Sequence, residues 1–479
     1  MTRTTRKIAK TPARGRKGVV VSHCVEASET GAAVLRSGGN AFDAAVAMSF
    51  VAAVRETAMN SIGGVGTLLA HSASTGETTE IAFYGRTPSG LAEDVFVPYL
   101  TDSAAGERSA FRFKAVADAR NERGFLSVGV PTHVSGLAEL HERHGSMPWN
   151  DLLQPAVELA RGGFVVDEQD IFWFATHLDH LQRHDEINRV FLSGGMPIPA
   201  GFYQGPGRPL KQPDLGDTIA AIAADGPGAF YEGSIGERIA DYVQANGGVL
   251  SAEDLRRFEP DVSDGLRGSY KGYEVVTSSG MTGGLTLIEM LNLAEQIELG
   301  SYERWSGDCL HLLAEIMRQA WTDRFVYVGD PEGTTVPVDA FVDKRYATSL
   351  LDGFARDRVS ERTRPGDPWP FSAIQPPPGA PFAGDPGGTD TTHLAAADGV
   401  GNVVTLTQTL GLCFGSCVMV PTTGVNLYDV TMWMNPEPGT PNSVGPWKRQ
   451  LGHATPVMLL RDGKPVVALG APGGRRVVT

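Results

Sequence analysis

The residues best suited to chemistry are two threonines, Thr391 and Thr392, which open a strand-like run directly after a stretch rich in proline and glycine. A threonine hydroxyl is a weak nucleophile without a base beside it. One solution makes the threonine the first residue of a new chain, whose α-amine then acts as the base. This mechanism requires a cut between Asp390 and Thr391 and an exposed segment upstream. Taken alone, a threonine at a strand start is ordinary, because β-branched residues favour strands.

The segment that would expose this cut runs from Arg364 to Asp390. Proline and glycine dominate it, as in Pro376-Pro377-Pro378-Gly379 and Pro386-Gly387-Gly388. Such a composition predicts an exposed linker that packs no core. The chain therefore divides into a basic flexible tail (1–17), a large segment (18–390) that ends in the linker (364–390), and a small segment (391–479).

A helix-rich part leads into a strand-rich part across this linker. Apolar periodicity predicts helices before it, at 26–36, 41–54, 133–144, 150–161, 215–224, 235–245 and 310–321. Alternation and turn residues predict two strand pairs after it, 391–397 with 403–409 and 457–460 with 465–469.

Composition excludes several classes of function. The 479 residues are 42% hydrophobic and 20% charged, as in ordinary globular proteins. A formal net charge of −14 argues against a nucleic-acid or anionic-membrane partner. The basic tail has no following apolar region, so we expect no secretory signal. Four scattered cysteines suit a reducing cytoplasm, the expected location, and Cys413 and Cys417 are predicted to be a buried structural pair rather than zinc ligands.

Two histidine groups are predicted not to bind metal. His141 and His144 are spaced i and i+3, whereas the zinc-binding helix motif needs i and i+4. His177, His180 and His184 can share one helical face, and a solvated polar face is the simpler interpretation.

A series of short motifs resembles the γ-glutamyltranspeptidase family from about residue 18 to the end. No single motif is decisive, but their order along most of the chain makes a strong signal. The motifs are Gly38-Gly39-Asn40-Ala41-Phe42-Asp43-Ala44-Ala45, Gly129-Val130-Pro131, Gly228-Ala229-Phe230-Tyr231-Glu232-Gly233, Tyr270-Lys271-Gly272-Tyr273, Asp323-Arg324, Gly329-Asp330-Pro331, Thr391-Thr392-His393, Thr407-Gln408-Thr409, Phe414-Gly415-Ser416 and Gly470-Ala471-Pro472-Gly473-Gly474.

The resemblance implies an α/β (α+β) fold, the four-layer αββα sandwich of N-terminal-nucleophile hydrolases. It implies that Thr391 is the nucleophile, freed by cleavage after Asp390, and that the hydroxyl of Thr409 tunes it. Gly473 and Gly474 would supply oxyanion-hole N–H groups, with an ordinary turn as the alternative. Arg86 would clamp a substrate carboxylate, with a solvated arginine as the alternative. The resemblance also implies further strands beyond Thr479.

The sequence departs from the family where γ-glutamyl substrates are held. Gly411 stands where the family has asparagine, and Gly452-His453 stand where it has paired serines. In the stretch that grips the α-amino group, Asp429 is the one acidic side chain, while Val430, Met432 and Trp433 replace polar or acidic residues. Gly411, Asp429, Trp433, Gly452 and His453 are therefore candidate substrate-binding positions that predict weak recognition of an ammonium group.

The resemblance thus predicts a self-cleaving amidohydrolase or acyltransferase that forms an acyl-enzyme on Thr391. The expected partners are a small-molecule amide and a water or amine acceptor, and the processed chain would be an α/β heterodimer that can dimerise further. No cofactor and no metal is expected. Two alternatives stay open: a true γ-glutamyl hydrolase or transpeptidase acting on glutathione, and an uncleaved, non-catalytic binding protein.

Overall fold

The computed structural model describes residues 12–104, 113–199, 207–360, 364–376 and 391–474. Its strands are β1 Gly18–Val21, β2 Val65–His71, β3 Thr78–Phe83, β4 Leu100–Ala104, β5 Lys114–Val116, β6 Phe164–Val165, β7 Leu192–Ser193, β8 Met196–Pro197, β9 Pro209–Leu210, β10 Asp261–Ser263, β11 Leu266–Tyr270, β12 Tyr273–Thr277, β13 Thr392–Asp398, β14 Val403–Thr409, β15 Val418–Val420, β16 Val425–Leu427, β17 Val457–Arg461 and β18 Lys464–Leu469. Its α-helices are α1 Val25–Arg36, α2 Ala41–Arg55, α3 His133–His144, α4 Trp149–Gly162, α5 Glu168–Thr176, α6 Leu178–Leu181, α7 Asp185–Phe191, α8 Pro213–Asp225, α9 Gly228–Tyr231, α10 Ser234–Ala245, α11 Ala252–Arg256, α12 Gly284–Gln296, α13 Gly307–Tyr327, α14 Val338–Val342 and α15 Lys344–Leu350.

Two antiparallel sheets form the centre of the molecule. One has the strand order β1-β13-β14-β2-β3-β10 and the other β11-β12-β17-β18. Leu69 of the first sheet packs against Val276, Met458 and Leu460 of the second. The β13–β14 hairpin therefore lies inside the first sheet, with its strands hydrogen-bonded on both sides.

Helices cover the outer faces of both sheets. Every residue of α2 is buried, and its apolar side chains share one core with Leu394 and Leu406 of the hairpin. On the other side α12 lies so close to the second sheet that a Cβ added at Gly268 would contact Ile288. The layers are thus helix, sheet, sheet and helix, and the predicted αββα sandwich is confirmed.

The predicted helices and strands occur within a few residues of the expected bounds. Asn40 caps α2, because its side chain accepts N–H groups of the first turn. The β13–β14 turn is organised by Asp398, whose Oδ1 accepts the N–H groups of Val400, Gly401 and Asn402. The largest difference is at α13, which spans Gly307–Tyr327 where the sequence predicts a helix over 310–321.

The described start of the predicted linker (364–376) is mostly exposed, and a few contacts attach it to the helices beside it. The N–H of Gly366 donates to Asp323 Oδ1 at 2.8 Å, and the Tyr327 hydroxyl donates to the Gly366 carbonyl at 2.6 Å. The ring of Phe371 packs on that of Tyr346. Glycine is needed at 366 because a side chain there would collide with Tyr346. The rest of the linker (377–390), including Asp390, and most of the basic tail (1–11) lie outside the described residues.

Three further observations concern the cysteines, possible metal ligands and membrane spans. Cys24, Cys309, Cys413 and Cys417 are buried and form no disulfide bond, in line with a structural role for the last two. In the parts of the chain that the structure describes, no three His, Cys, Asp or Glu side chains are grouped as metal ligands. No helix in those parts has the length and apolar character needed to span a membrane.

Candidate active site

Thr391 and Thr409 face each other at the open end of the β13–β14 hairpin. Thr392 pairs with Gln408, and extending this antiparallel register by one residue sets Thr391 opposite Thr409. Directly opposed residues of an antiparallel pair have Cβ atoms about 4.5–5.5 Å apart. Both side chains are buried, and Thr409 Oγ1 accepts the N–H of Gly411 at 2.9 Å. The structure therefore brings the predicted nucleophile and its predicted tuning residue together.

His393 links this hairpin end to the glycine-rich segment after β18. Its ring nitrogens contact the hydroxyl oxygens of Thr407 at 3.0 Å and Thr405 at 3.3 Å. Burial lowers the pKa of His393 to about 4, so the imidazole is neutral at pH 7. A Cβ added at Gly470 would collide with the His393 ring. The chain after β18 thus passes directly beside His393, two residues after Thr391.

Gly473 and Gly474, the candidate oxyanion donors, follow a few residues later. Their φ angles are +136° and +57°, both in the region that L side chains rarely adopt. The backbone therefore requires glycine here, which suits N–H groups that must approach a substrate closely. Their role in holding an oxyanion stays a prediction.

Arg86 already has an internal carboxylate partner. Its guanidinium donates to Glu332 Oε2 at 3.0 Å and to Oε1 at 2.7 Å, and also to the Trp447 carbonyl at 3.0 Å. Arg449 donates to the same carboxylate at 2.6 Å. These contacts lower the pKa of Glu332 to about 2. A substrate carboxylate would reach Arg86 only by displacing Glu332.

Asp429 fills the space beside Gly411. Its Oδ1 accepts the Leu412 N–H at 3.1 Å, and a Cβ at Gly411 would overlap the same oxygen. Gly411 also has a φ of +92°, so an asparagine cannot be accommodated there without rearrangement. Burial raises the pKa of Asp429 well above its ordinary value, although the nearby Arg123 opposes this. The carboxyl group is thereby biased towards its neutral form.

Aromatic rings occupy the remaining positions where the family resemblance places polar groups. The His453 ring lies 4.8 Å from that of Trp433 and 5.4 Å from that of Trp321, between centroids. The ring of Tyr84 fills the space that any side chain at Gly452 would need. Met432 and Trp433 are buried against Phe325 and Leu412. This wall is apolar and flat rather than acidic.

Sequence reasoning missed three residues that shape the site: Glu56, Tyr84 and Glu332. Glu56 accepts a hydrogen bond from Thr392 at 2.5 Å. The one sequence signal for it is the charged pair Arg55-Glu56 directly after an apolar helix. Glu332 directly follows the Gly329-Asp330-Pro331 motif, but no sequence pattern marked it as a site residue.

Comparisons with known proteins match this chain over nearly its whole length. A family model described as gamma-glutamyltranspeptidase matches residues 27–479. The acylase ACY 1 proenzyme of Pseudomonas sp. (strain SE83) is 34% identical over 471 residues, which cover 98% of this chain and 78% of that protein. The glutathione hydrolase proenzyme of Escherichia coli (strain K12) is 31% identical over 484 residues, covering 98% and 77%. The crystal structure of cephalosporin acylase from Bacillus halodurans superposes with a TM-score of 0.80 at 24% identity, covering 98% of this chain and 80% of that one.

Proposed function

Because the chain belongs to the γ-glutamyltranspeptidase family, we propose that it is an acylase for amides whose acyl group lacks a free α-amino group. The chain is an amidohydrolase of the N-terminal-nucleophile type, made as a precursor that cleaves itself. In our proposal the new N-terminus is Thr391. The processed subunits stay together as a heterodimer, and four buried cysteines that form no disulfide bond suit a cytoplasmic location.

The proposed reaction takes place at the open end of the β13–β14 hairpin, where Thr391 lies opposite Thr409. Thr391 Oγ attacks the amide carbonyl while the α-amine of Thr391 takes the hydroxyl proton. The oxyanion is held by the N–H groups at Gly473 and Gly474, and the amine leaves as it gains the proton. Water, or an amine acceptor, then attacks the acyl-enzyme and regenerates Thr391. Thr409, opposite the nucleophile, orients the Thr391 hydroxyl.

The observation that carries the acyl-group proposal is the aromatic wall formed by Trp433, His453 and Trp321. An ammonium group needs a charged or hydrogen-bonding partner when it is buried. The wall contains no carboxylate, and cation–π contacts to its rings are worth about 0.5–2 kcal/mol, against about 3–5 kcal/mol for a buried charge pair that is lost. A flat or apolar acyl group fits this wall without that cost.

A three-substrate series tests the proposal on mature protein. The p-nitroanilides of γ-glutamate, glutarate and butanoate differ in turn by one ammonium and one carboxylate. We expect kcat/KM for the γ-glutamyl compound to lie roughly 100-fold or more below that of the glutaryl compound. Equal or better turnover of the γ-glutamyl compound would refute the proposal.

The carboxyl group of Asp429 favours the alternative of a γ-glutamyl hydrolase. Asp429 Oδ2 is buried and accepts no hydrogen bond from any of the described residues. An ammonium that reached this oxygen would stabilise the ionised carboxylate. In that case Asp429→Asn would abolish turnover of the γ-glutamyl anilide and leave the butanoyl anilide unaffected.

A further inference from the structure

A buried carboxyl group lies directly behind the strand that carries the nucleophile. Glu56 follows α2 and caps it, its N–H donating to the Ala52 carbonyl at 2.9 Å. Its side chain is 5% exposed, and its Oε2 accepts the Thr392 hydroxyl at 2.5 Å. The short hydrogen bond thus joins a helix that is buried along its whole length to the first residue of β13.

Thr391 and Thr392 face opposite sides of the sheet, because side chains alternate along a strand. Leu394 and Ala396 point to the same face of β13 as Thr392, and they lie in the core with α2. His393 points to the same face as Thr391, and its ring lies against Gly470 beyond the sheet. The Glu56–Thr392 contact therefore holds the strand from the rear, while Thr391 is presented to substrate at the front.

Besides Thr392, the polar groups close to the Glu56 carboxyl are the His23 ring and the Cys24 thiol. His23 forms the one ion pair that Glu56 has within the described ranges, a long contact of 3.9 Å from a half-exposed ring. Arg55 points to Glu26, Asp167 and Asp170 instead.

Glu56 lines a cavity of about 290 Å³ together with Cys24, Glu26 and Arg55. Burial raises the pKa of Glu56, so its ionised form is costly here. An apolar side chain would fill such a place at less cost.

We propose that Glu56 is a positioning residue for the nucleophile: by holding the Thr392 hydroxyl, it fixes the backbone on which Thr391 is presented. The inference rests on the proposed role of Thr391. A supporting residue that locks a neighbour of the reacting group maintains the geometry on which rate depends. A misplacement of about 1 Å can cost about 100-fold in rate.

Matched pairs of variants test this at both partners. Thr392→Val and Glu56→Leu remove the hydrogen bond, whereas Thr392→Ser and Glu56→Gln keep a hydroxyl donor and an oxygen acceptor. Glu26→Gln is the control, because Glu26 lines the same cavity and contacts Arg55 rather than Thr392. Self-cleavage is followed in a cell-free translation mixture on denaturing gels. Mature protein is then assayed with glutaryl p-nitroanilide, and thermal unfolding of each variant is recorded.

We expect Thr392→Val and Glu56→Leu to cleave themselves about 10- to 100-fold more slowly and to lose kcat with KM changed less than about twofold. Thr392→Ser, Glu56→Gln and the control should stay within about threefold of the parent. Wild-type rates in Glu56→Leu would overturn the inference. So would equal losses in Glu56→Gln and Glu56→Leu, since the hydrogen bond would then not be the cause. If the parent cleaves at Thr391 but hydrolyses none of the anilides, the acyl-group proposal fails, while the cleavage rates still test Glu56.

Discussion

Replacing Glu332 with glutamine should turn Arg86 into a better site for substrate carboxylates. In the native protein Arg86 donates two hydrogen bonds to the Glu332 carboxylate, so an incoming carboxylate must break them first. Hydrogen bonds to charged groups contribute about 1.5–3 kcal/mol when buried, and less when exposed. The Glu332 side chain is 56% exposed. We therefore expect a gain of about 1–1.5 kcal/mol, which is about 5- to 10-fold in kcat/KM for the glutaryl anilide.

The butanoyl anilide is the internal control, since it has no carboxylate to exchange with Glu332 and its kcat/KM should not change. Asp261→Asn is the control variant. Asp261 binds Arg449 in the same ion network, with no hydrogen bond to Arg86. An equal rise for both anilides, or none for either, would show that Arg86 does not contact the acyl group and would refute its assigned role.

The same contact predicts a pH dependence of stability. The pKa of Glu332 is lowered to about 2 in the folded protein, chiefly by its hydrogen bond from Arg86. A depressed carboxyl pKa stabilises the fold above the ordinary glutamate pKa, and this contribution is lost as the pH falls towards 2. The free energy of unfolding of Glu332→Gln should therefore lie below that of the parent at pH 7, by less than about 1 kcal/mol because the group is half exposed. The two should converge in acid, and a constant difference would contradict the assignment.

Three other substitutions test the hairpin end and the pocket. Thr391→Ala should remain a single chain on a denaturing gel, whereas the parent gives a small fragment whose N-terminal sequence begins at Thr391; an equally cleaved variant would exclude self-cleavage by this residue. Gly473→Ala should lower kcat about 100- to 1000-fold if its N–H is an oxyanion donor, and normal turnover would make the pair an ordinary turn. Gly452→Ser should not restore γ-glutamyl turnover and should destabilise the fold by about 1–3 kcal/mol in denaturant titration, because Tyr84 fills that space; a fully stable variant would contradict this packing.

Local patterns were sufficient to predict the elements around the proposed nucleophile. Alternation and the turn residues from Asp398 to Asn402 identified the β13–β14 hairpin, and an uncharged alanine-rich run identified the buried helix α2. These signals are local because each depends on residues within one element. The layer arrangement followed from the family resemblance and not from periodicity.

The long-range contacts of the candidate site could not be predicted in the same way. Arg86 and Glu332 are 246 positions apart, and Glu56 and Thr392 are 336 apart. A single sequence contains no signal for such pairs, since their partners meet only after the sheets have stacked. Tyr84 illustrates the same limit. Its ring occupies the space beside Gly452, and the two residues are far apart in the sequence. For the same reason, the sequence analysis assigned Arg86 to a substrate carboxylate without recognising that Glu332 already binds it.

Residues that take no part in the proposed chemistry decide which of the two adjacent threonines faces the front of the sheet. A shift of one residue in the register of β13 would turn Thr392 to the front and Thr391 to the rear. The same shift would bring Leu394 out of the core that it shares with α2 and would bury the polar ring of His393 among apolar side chains. Transferring a leucine side chain out of a core costs about 1.5–3 kcal/mol, and an unpaired buried polar group costs a further 1–3 kcal/mol. The hydrophobic pattern of β13 therefore fixes Thr391 at the front, and the contact between Glu56 and Thr392 holds the strand in that register at its first residue.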